Sequence, residues 1–144
     1  MQTTITYLGH DISQGIQKPT PKRLELILSI LLPQMKKQLC TFLGAAGYCR
    51  QWVPNFAGLA KPLYALLPDI TPEPISWPSE ASPSFEALQL ALSTPPALGL
   101  PNFDKPFHLH CHENNGIAAG ILGQSFASQL HPIAYFSCQL DPVA

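Results

Sequence analysis

The sequence predicts an α+β fold: a β-hairpin, then a run of short helices, then a further helix and a truncated antiparallel sheet of three strands. Three observations carry this prediction. β-Branched and aromatic residues crowd positions 4–12 ahead of a Ser13-Gln14-Gly15 turn. Apolar residues then recur at helical spacing between Leu24 and Leu67. After residue 106, alternating stretches flank Asn114-Asn115-Gly116, a strong hairpin signal.

In chain order, residues 4–12 with Ile16 and Gln17 read as the opening hairpin. Pro19 and Pro21 permit a first helix carrying Leu24, Ile27, Leu28 and Leu31, which Pro33 stops. A second helix runs from about Gln34 to Gly47 with Leu39, Phe42, Leu43 and Ala46 on one face. Asn55 caps a third, carrying Phe56, Leu59, Ala60, Leu63 and Leu67, and Pro62 kinks or shortens it. Five prolines within residues 68–83 exclude regular structure and mark a stiffened linker. Ser82-Pro83 then reads as N-cap and first residue of a fourth helix with Phe85, Leu88, Ala91 and Leu92 on its apolar stripe. Beyond a proline-bounded loop, residues 107–112, 117–122 and 133–138 form an antiparallel meander. The sequence ends at Ala144 before any helix follows to cover the sheet's other face, so this second unit reads as unfinished.

Hydrophobic residues make up 46% of the chain, enough for a core, while charged residues are only 12%, half the usual share of about 25%. The net charge of -1 conceals a separation by sign. Within residues 1–62, seven bases face Asp11 and Glu25, for +5; beyond them Lys105 faces seven acids, for -6. A basic half is the footprint of a surface that meets phosphates, and equally of a solvated helix face. The four cysteines form no CxxC pair, no signal peptide precedes them, and no apolar run approaches the roughly 20 residues of a membrane span. An intracellular chain with reduced thiols, of no particular compartment and without membrane contact, is the expectation.

The run from Gln38 to Ala57, QLCTFLGAAGYCRQWVPNFA, resembles the thumb of gammaretroviral reverse transcriptases and their endogenous relatives. Pro62-Leu63-Tyr64, Ile75-Ser76-Trp77, Pro96-Ala97-Leu98-Gly99-Leu100-Pro101, Lys105-Pro106-Phe107, Pro132-Ile133-Ala134-Tyr135 and Leu140-Asp141-Pro142-Val143-Ala144 resemble the same pol polyprotein in the same order. The resemblance covers nearly the whole chain. It implies a thumb-like segment over residues 1–67, a proline-rich linker over 68–82, and part of a connection, RNase H-like domain over 83–144.

The resemblance further implies that Tyr7, Leu8, Gly9 and His10 lie in the primer-grip hairpin, which positions the primer terminus. An ordinary edge hairpin in which the backbone requires Gly9 is the alternative. Gly44 and Tyr48, one helical turn apart, would track the minor groove of a primer–template duplex, the absent side chain allowing close approach. Plain helix packing explains a glycine and an aromatic at that spacing equally well. Cys40 stands where many relatives carry a polar or basic residue, which weakens one expected contact. Lys36, Lys37 and Arg50 would reach phosphates, positioning a duplex without reading its sequence; surface solubility is the alternative.

Catalytic chemistry is expected elsewhere. Two-metal polymerisation requires paired aspartates, which the resemblance places in the palm, upstream of residue 1; no Asp-Asp pair occurs in this sequence. His112 stands where related RNase H strands carry the first metal-binding Asp, and the adjacent Glu113 points to the other face of a strand. No cofactor is expected for this segment, with Mg²⁺ belonging to the parent enzyme. His108, His110 and His112 share one strand face, and His131 would join them only if the third strand lay alongside; a solvent-facing stripe is the reading preferred over a metal site. The function implied is gripping an RNA–DNA or DNA duplex within an RNA-directed DNA polymerase. Its competitors are an RNase H-like nuclease and an inert endogenous retroviral relic.

Overall fold

The computed structural model describes residues 4–7, 10–13 and 15–141. Among the described residues the fold is mixed, with four α-helices and two antiparallel sheets. The opening segment forms β1 (Thr4–Tyr7), β2 (His10–Ser13) and β3 (Ile16–Pro19), with Tyr7 opposite His10 and Ser13 opposite Ile16. The stretch 4–12, expected as one strand of a hairpin, is therefore two strands of a meander. Of the primer-grip-like string, Leu8 and Gly9 lie outside the described residues.

Helix α1 (Pro21–Leu28) starts where Pro supplies a helical φ at N1 and Thr20 accepts the Arg23 N–H at 3.3 Å. It ends earlier than the apolar periodicity predicts. Pro33 bars its predecessor from helical geometry, the Ser29 hydroxyl folds back onto the Leu26 carbonyl at 2.8 Å, and Leu31 is left 85% exposed. Helix α2 (Lys36–Tyr48) buries the four residues expected of it: Leu39, Phe42, Leu43 and Ala46. Its entry is capped by the Gln38 side chain, whose Oε1 accepts the N–H groups of Gln34 (2.8 Å) and Met35 (3.1 Å).

A 3₁₀ turn (Arg50–Trp52) leads to α3 (Phe56–Tyr64), entered through Asn55 at φ 55°, a left-handed conformation that asparagine tolerates. Pro62 lies inside α3, which ends two residues later, so proline shortens it. Helix α4 (Ala81–Ser93) begins before the expected Ser82 cap. The Pro78 carbonyl accepts from both Ala81 and Ser82, and Pro83 sits in a first turn whose N–H groups lack helical partners anyway.

The proline-rich segment is irregular, as expected, yet it packs back onto the start of α2. Ile75 N–H donates to the Gln34 carbonyl at 2.7 Å, and Trp77 Nε1 donates to the Pro33 carbonyl at 2.7 Å. Trp77 then meets Phe85, which packs on Phe42 with ring centroids 4.5 Å apart. One hydrophobic cluster consequently contains Phe42 and Trp52 from before the segment and Phe85, Leu88 and Leu92 from after it. Leu98 and Gly99, expected in a loop, form β4 and pair with Gln17 and Ile16 of β3, completing a sheet ordered β1-β2-β3-β4.

The second sheet is the expected meander: β5 (His108–Asn114), β6 (Ile117–Phe126) and β7 (Gln129–Gln139), in that order. Asn115 (φ 54°) and Gly116 (φ 78°) form the first turn, matching the Asn-Gly signal. Ser137 of β7 holds the sheet to α3, its hydroxyl accepting the Ala57 N–H at 2.8 Å. The opposite face of this sheet presents Leu109 (60% exposed) and Phe136 (52%) to the outside. No helix among the described residues is long and apolar enough to cross a membrane.

Candidate nucleic-acid interface

With Leu39, Phe42, Leu43 and Ala46 facing the core, α2 turns the stripe of Lys37, Cys40, Thr41, Gly44 and Tyr48 outward. Lys37, Thr41, Gly44 and Tyr48 follow each other at spacings of four, three and four, so they line one helix face over roughly 16 Å at 1.5 Å per residue. Gly44 bears on both readings of this helix. A Cβ built there meets nothing within 4 Å, so no packing partner among the described residues requires glycine. An exposed glycine within a helix costs about 0.5–1 kcal/mol relative to alanine, and no contact among the described residues offsets that cost.

The remaining expected contacts divide. Lys36 is half-buried and turned aside: its ammonium donates to the Pro68 carbonyl at 2.7 Å, and its backbone N–H donates to Glu73 at 3.1 Å. Arg50 is exposed but reaches the second sheet, donating to the Ser137 carbonyl at 2.6 Å and lying 5.1 Å from the Phe56 ring centroid. A phosphate contact by either would displace an internal bond. Lys37 is exposed on the outer face of α2.

At the C-terminal end of this stripe His10 and Tyr48, assigned to separate roles from the sequence, meet Arg23 and Trp52, to which the sequence assigns none. The His10 ring from β2 lies 5.6 Å from the Tyr48 ring and edge-on to Trp52 at 4.8 Å. The Arg23 guanidinium from α1 stacks over Tyr48, 3.8 Å from its centroid. Trp52 is fully buried and donates from Nε1 to the Gln17 carbonyl at 3.2 Å. Burial, then the nearby Arg23 charge, pulls the His10 pKa below its usual value. Burial pushes the Cys49 thiol up, an effect that Arg23 opposes. The only sequence signal for Arg23 was its place among the clustered bases.

Neutral His10 is thus the form the fold prefers, and the sign of its pH dependence follows. Above about pH 6.5, the unfolded histidine value, its contribution is fully present; below it the unfolded chain takes up the proton first, so stability falls as pH drops through the lowered folded pKa. The thermal midpoint should decline between about pH 7.5 and 5.5, and His10→Asn should flatten that decline. Equal slopes for the two proteins would remove His10 as the cause.

Among the described residues, no group of three or more His, Cys, Asp or Glu side chains is placed to hold a metal ion. β6 separates β5 from β7, so His131 cannot complete a set with His108, His110 and His112; it packs instead against Phe126 at 5.2 Å. Glu113 accepts the Gly116 N–H at 2.6 Å and closes its own hairpin.

Residues 77–144 match the family model of the RNase H-like domain found in reverse transcriptase. Over 143 residues, 99% of the chain, the sequence is 48% identical to the Gag-Pol polyprotein of baboon endogenous virus (strain M7) and 47% identical to the Pol polyprotein of feline endogenous virus ECE1. The Gag-Pol polyprotein of avian reticuloendotheliosis virus is 45% identical over the same extent. Over nearly its whole length the chain is similar to retroviral pol polyproteins. It is a reverse transcriptase fragment with an RNase H-like domain, and it spans 8%, 14% and 12% of these three relatives, respectively.

Solved structures place this pol segment in the same fold. A foamy viral protease-reverse transcriptase in complex with dsDNA matches 99% of the chain and 30% of its own with TM-score 0.85 and 26% identity. The foamy viral protease-reverse transcriptase in complex with an RNA/DNA hybrid matches 98% of the chain and 19% of its own with TM-score 0.81 and 27% identity.

Proposed function

We propose that this pol segment grips and positions a primer–template duplex, RNA–DNA or DNA–DNA, as the thumb and partial connection region of an RNA-directed DNA polymerase, and carries no catalytic step itself. The observation that carries the reading is Gly44, an exposed helix glycine on one face with Lys37 and Tyr48 and with open space where its side chain would be. Such a glycine lets a helix backbone approach a groove closely, and Lys37, two turns back on the same face, supplies a phosphate contact that orients without reading sequence. The likeness to reverse transcriptase structures with dsDNA and RNA/DNA hybrid supports the same reading. Tyr7 to His10 act as the primer grip, with His10 abutting Tyr48 at the end of the helix track. Residues 1–67 work as the thumb, 68–82 as the joining segment, and 83–144 as the connection part. The metal-binding carboxylates of polymerisation are supplied by the palm of the parent enzyme.

Gly44→Ala separates fold from function because the two move in opposite directions. Stability should rise by about 0.5–1 kcal/mol, while affinity for a labelled RNA–DNA hybrid, read by fluorescence anisotropy, should fall. Lys37→Ala should flatten the dependence of log K on log salt by nearly one unit. A more stable Gly44→Ala chain with undiminished hybrid binding would remove α2 from the interface.

A further inference from the structure

We infer that Arg23, shelved on the Tyr48 ring, is a further phosphate-contacting residue of the duplex track, binding a nucleic-acid backbone phosphate at the C-terminal end of α2. The inference rests on the duplex-gripping reading and adds to it a residue from a different helix. The guanidinium lies 3.8 Å from the centroid of Tyr48, which is 43% exposed at the end of the Lys37–Gly44 stripe. Stacking on an aromatic fixes the planar fork and leaves its edge donors to address an anion bidentately.

Among the described residues, no carboxylate answers this charge. Arg23 Nε is buried without a hydrogen-bond partner, whereas the backbone N–H of the same residue is satisfied by Thr20. A buried polar atom without a partner calls for an explanation; the Nε itself lies too deep for direct contact, and a phosphate would meet the fork through its terminal nitrogens. The fork lies over the Tyr48 ring, His10 packs against both Tyr48 and Trp52, and the buried Cys49 thiol also feels the Arg23 charge. Asp11, beside His10 in sequence, has its Oδ1 engaged by the Thr6 hydroxyl at 2.7 Å. A cation held by a ring, away from acids, in the basic half of the chain and at the end of a groove-facing stripe has the features of a phosphate contact.

The test compares the wild-type chain with Arg23→Gln on an RNA–DNA hybrid across a salt series, with thermal melting to verify folding. Loss of one phosphate contact should weaken binding about tenfold and flatten the slope of log K against log salt by about 0.9. A scan of single neutral methylphosphonates along the hybrid should find one position whose effect on wild type is lost in the variant, because paired groups do not contribute additively. If Arg23→Gln does not fold, Arg23→Lys, which keeps the charge and loses the fork, is read by the same scan. Unchanged slope and additive losses, with both proteins binding, would overturn the inference and leave Arg23 a packing residue. A folded wild-type chain that binds no hybrid would instead overturn the duplex reading, and the inference with it.

Discussion

Trp52→Ala is expected to destabilise the chain by roughly 3–5 kcal/mol, a large part of the 5–15 kcal/mol that holds a typical domain together. Trp52 is fully buried in the turn between α2 and α3, where three separate elements use it. Its ring belongs to the shared hydrophobic cluster, its Nε1 donates to Gln17 on the central part of the first sheet, and His10 packs edge-on against it at 4.8 Å. Alanine would leave a cavity and an unanswered Gln17 carbonyl together. Urea unfolding should show the midpoint collapsing for Trp52→Ala, whereas Trp52→Phe, which fills most of the volume and loses only the hydrogen bond, should fall by about 1–2 kcal/mol. A loss below about 1.5 kcal/mol for alanine would mean that the site closes over the missing ring.

Gly123→Ala should cost about 1–3 kcal/mol through a backbone clash and without any cavity. The register of β6 against β7 shifts here: Leu122 faces Ala134 and Gly123 faces Pro132, so Ile133 has no partner across the ladder. A Cβ on Gly123 would lie 2.7 Å from the His131 carbonyl oxygen and 2.9 Å from Leu130 Cδ1. The leucine can rotate; the carbonyl belongs to the bulged strand and cannot. Gly120→Ala should be milder, since its Cβ meets the Cys111 Sγ at 3.1 Å and the His110 carbonyl at 3.2 Å. With Gly44→Ala stabilising, alanine at three glycines should give an ordered set of effects in thermal unfolding. Equal destabilisation at positions 44 and 123 would contradict the opposite surroundings described for them.

Much of the fold could be read from residue order because the signals are local. Period-3.6 burial placed Leu39, Phe42, Leu43 and Ala46 on one face of α2, and the same residues are buried. The Asn115-Gly116 turn and the alternation around it gave the β5-β6-β7 meander, since a two-residue turn fixes its own register. Helix ends were less legible. Ser82-Pro83 looked like a start, but the Pro78 carbonyl opens α4 two residues earlier, and nothing in the local sequence shows where that carbonyl points.

For the candidate interface, spacing alone put Gly44 and Tyr48 one turn apart but could not say whether the gap at Gly44 was filled by a neighbour. Only the packed structure leaves it open. Likewise, Lys36, Lys37 and Arg50 look equivalent as charges, yet Pro68 and Ser137 carbonyls take Lys36 and Arg50 while Lys37 stays on the outer face. Arg23 differs from the other clustered bases only by its stacking on Tyr48 across two helices, which no local pattern specifies. The sequence by itself determined the α+β class, the pol resemblance and the helix stripe, because periodicity, turn chemistry and residue order are properties of neighbouring positions. Tertiary structure decided that the core runs across the proline-rich segment, that β4 joins the first sheet, and which cations remain at the surface. Each of those depends on a hydrogen bond or contact between residues far apart in the chain, whose partner no local pattern specifies.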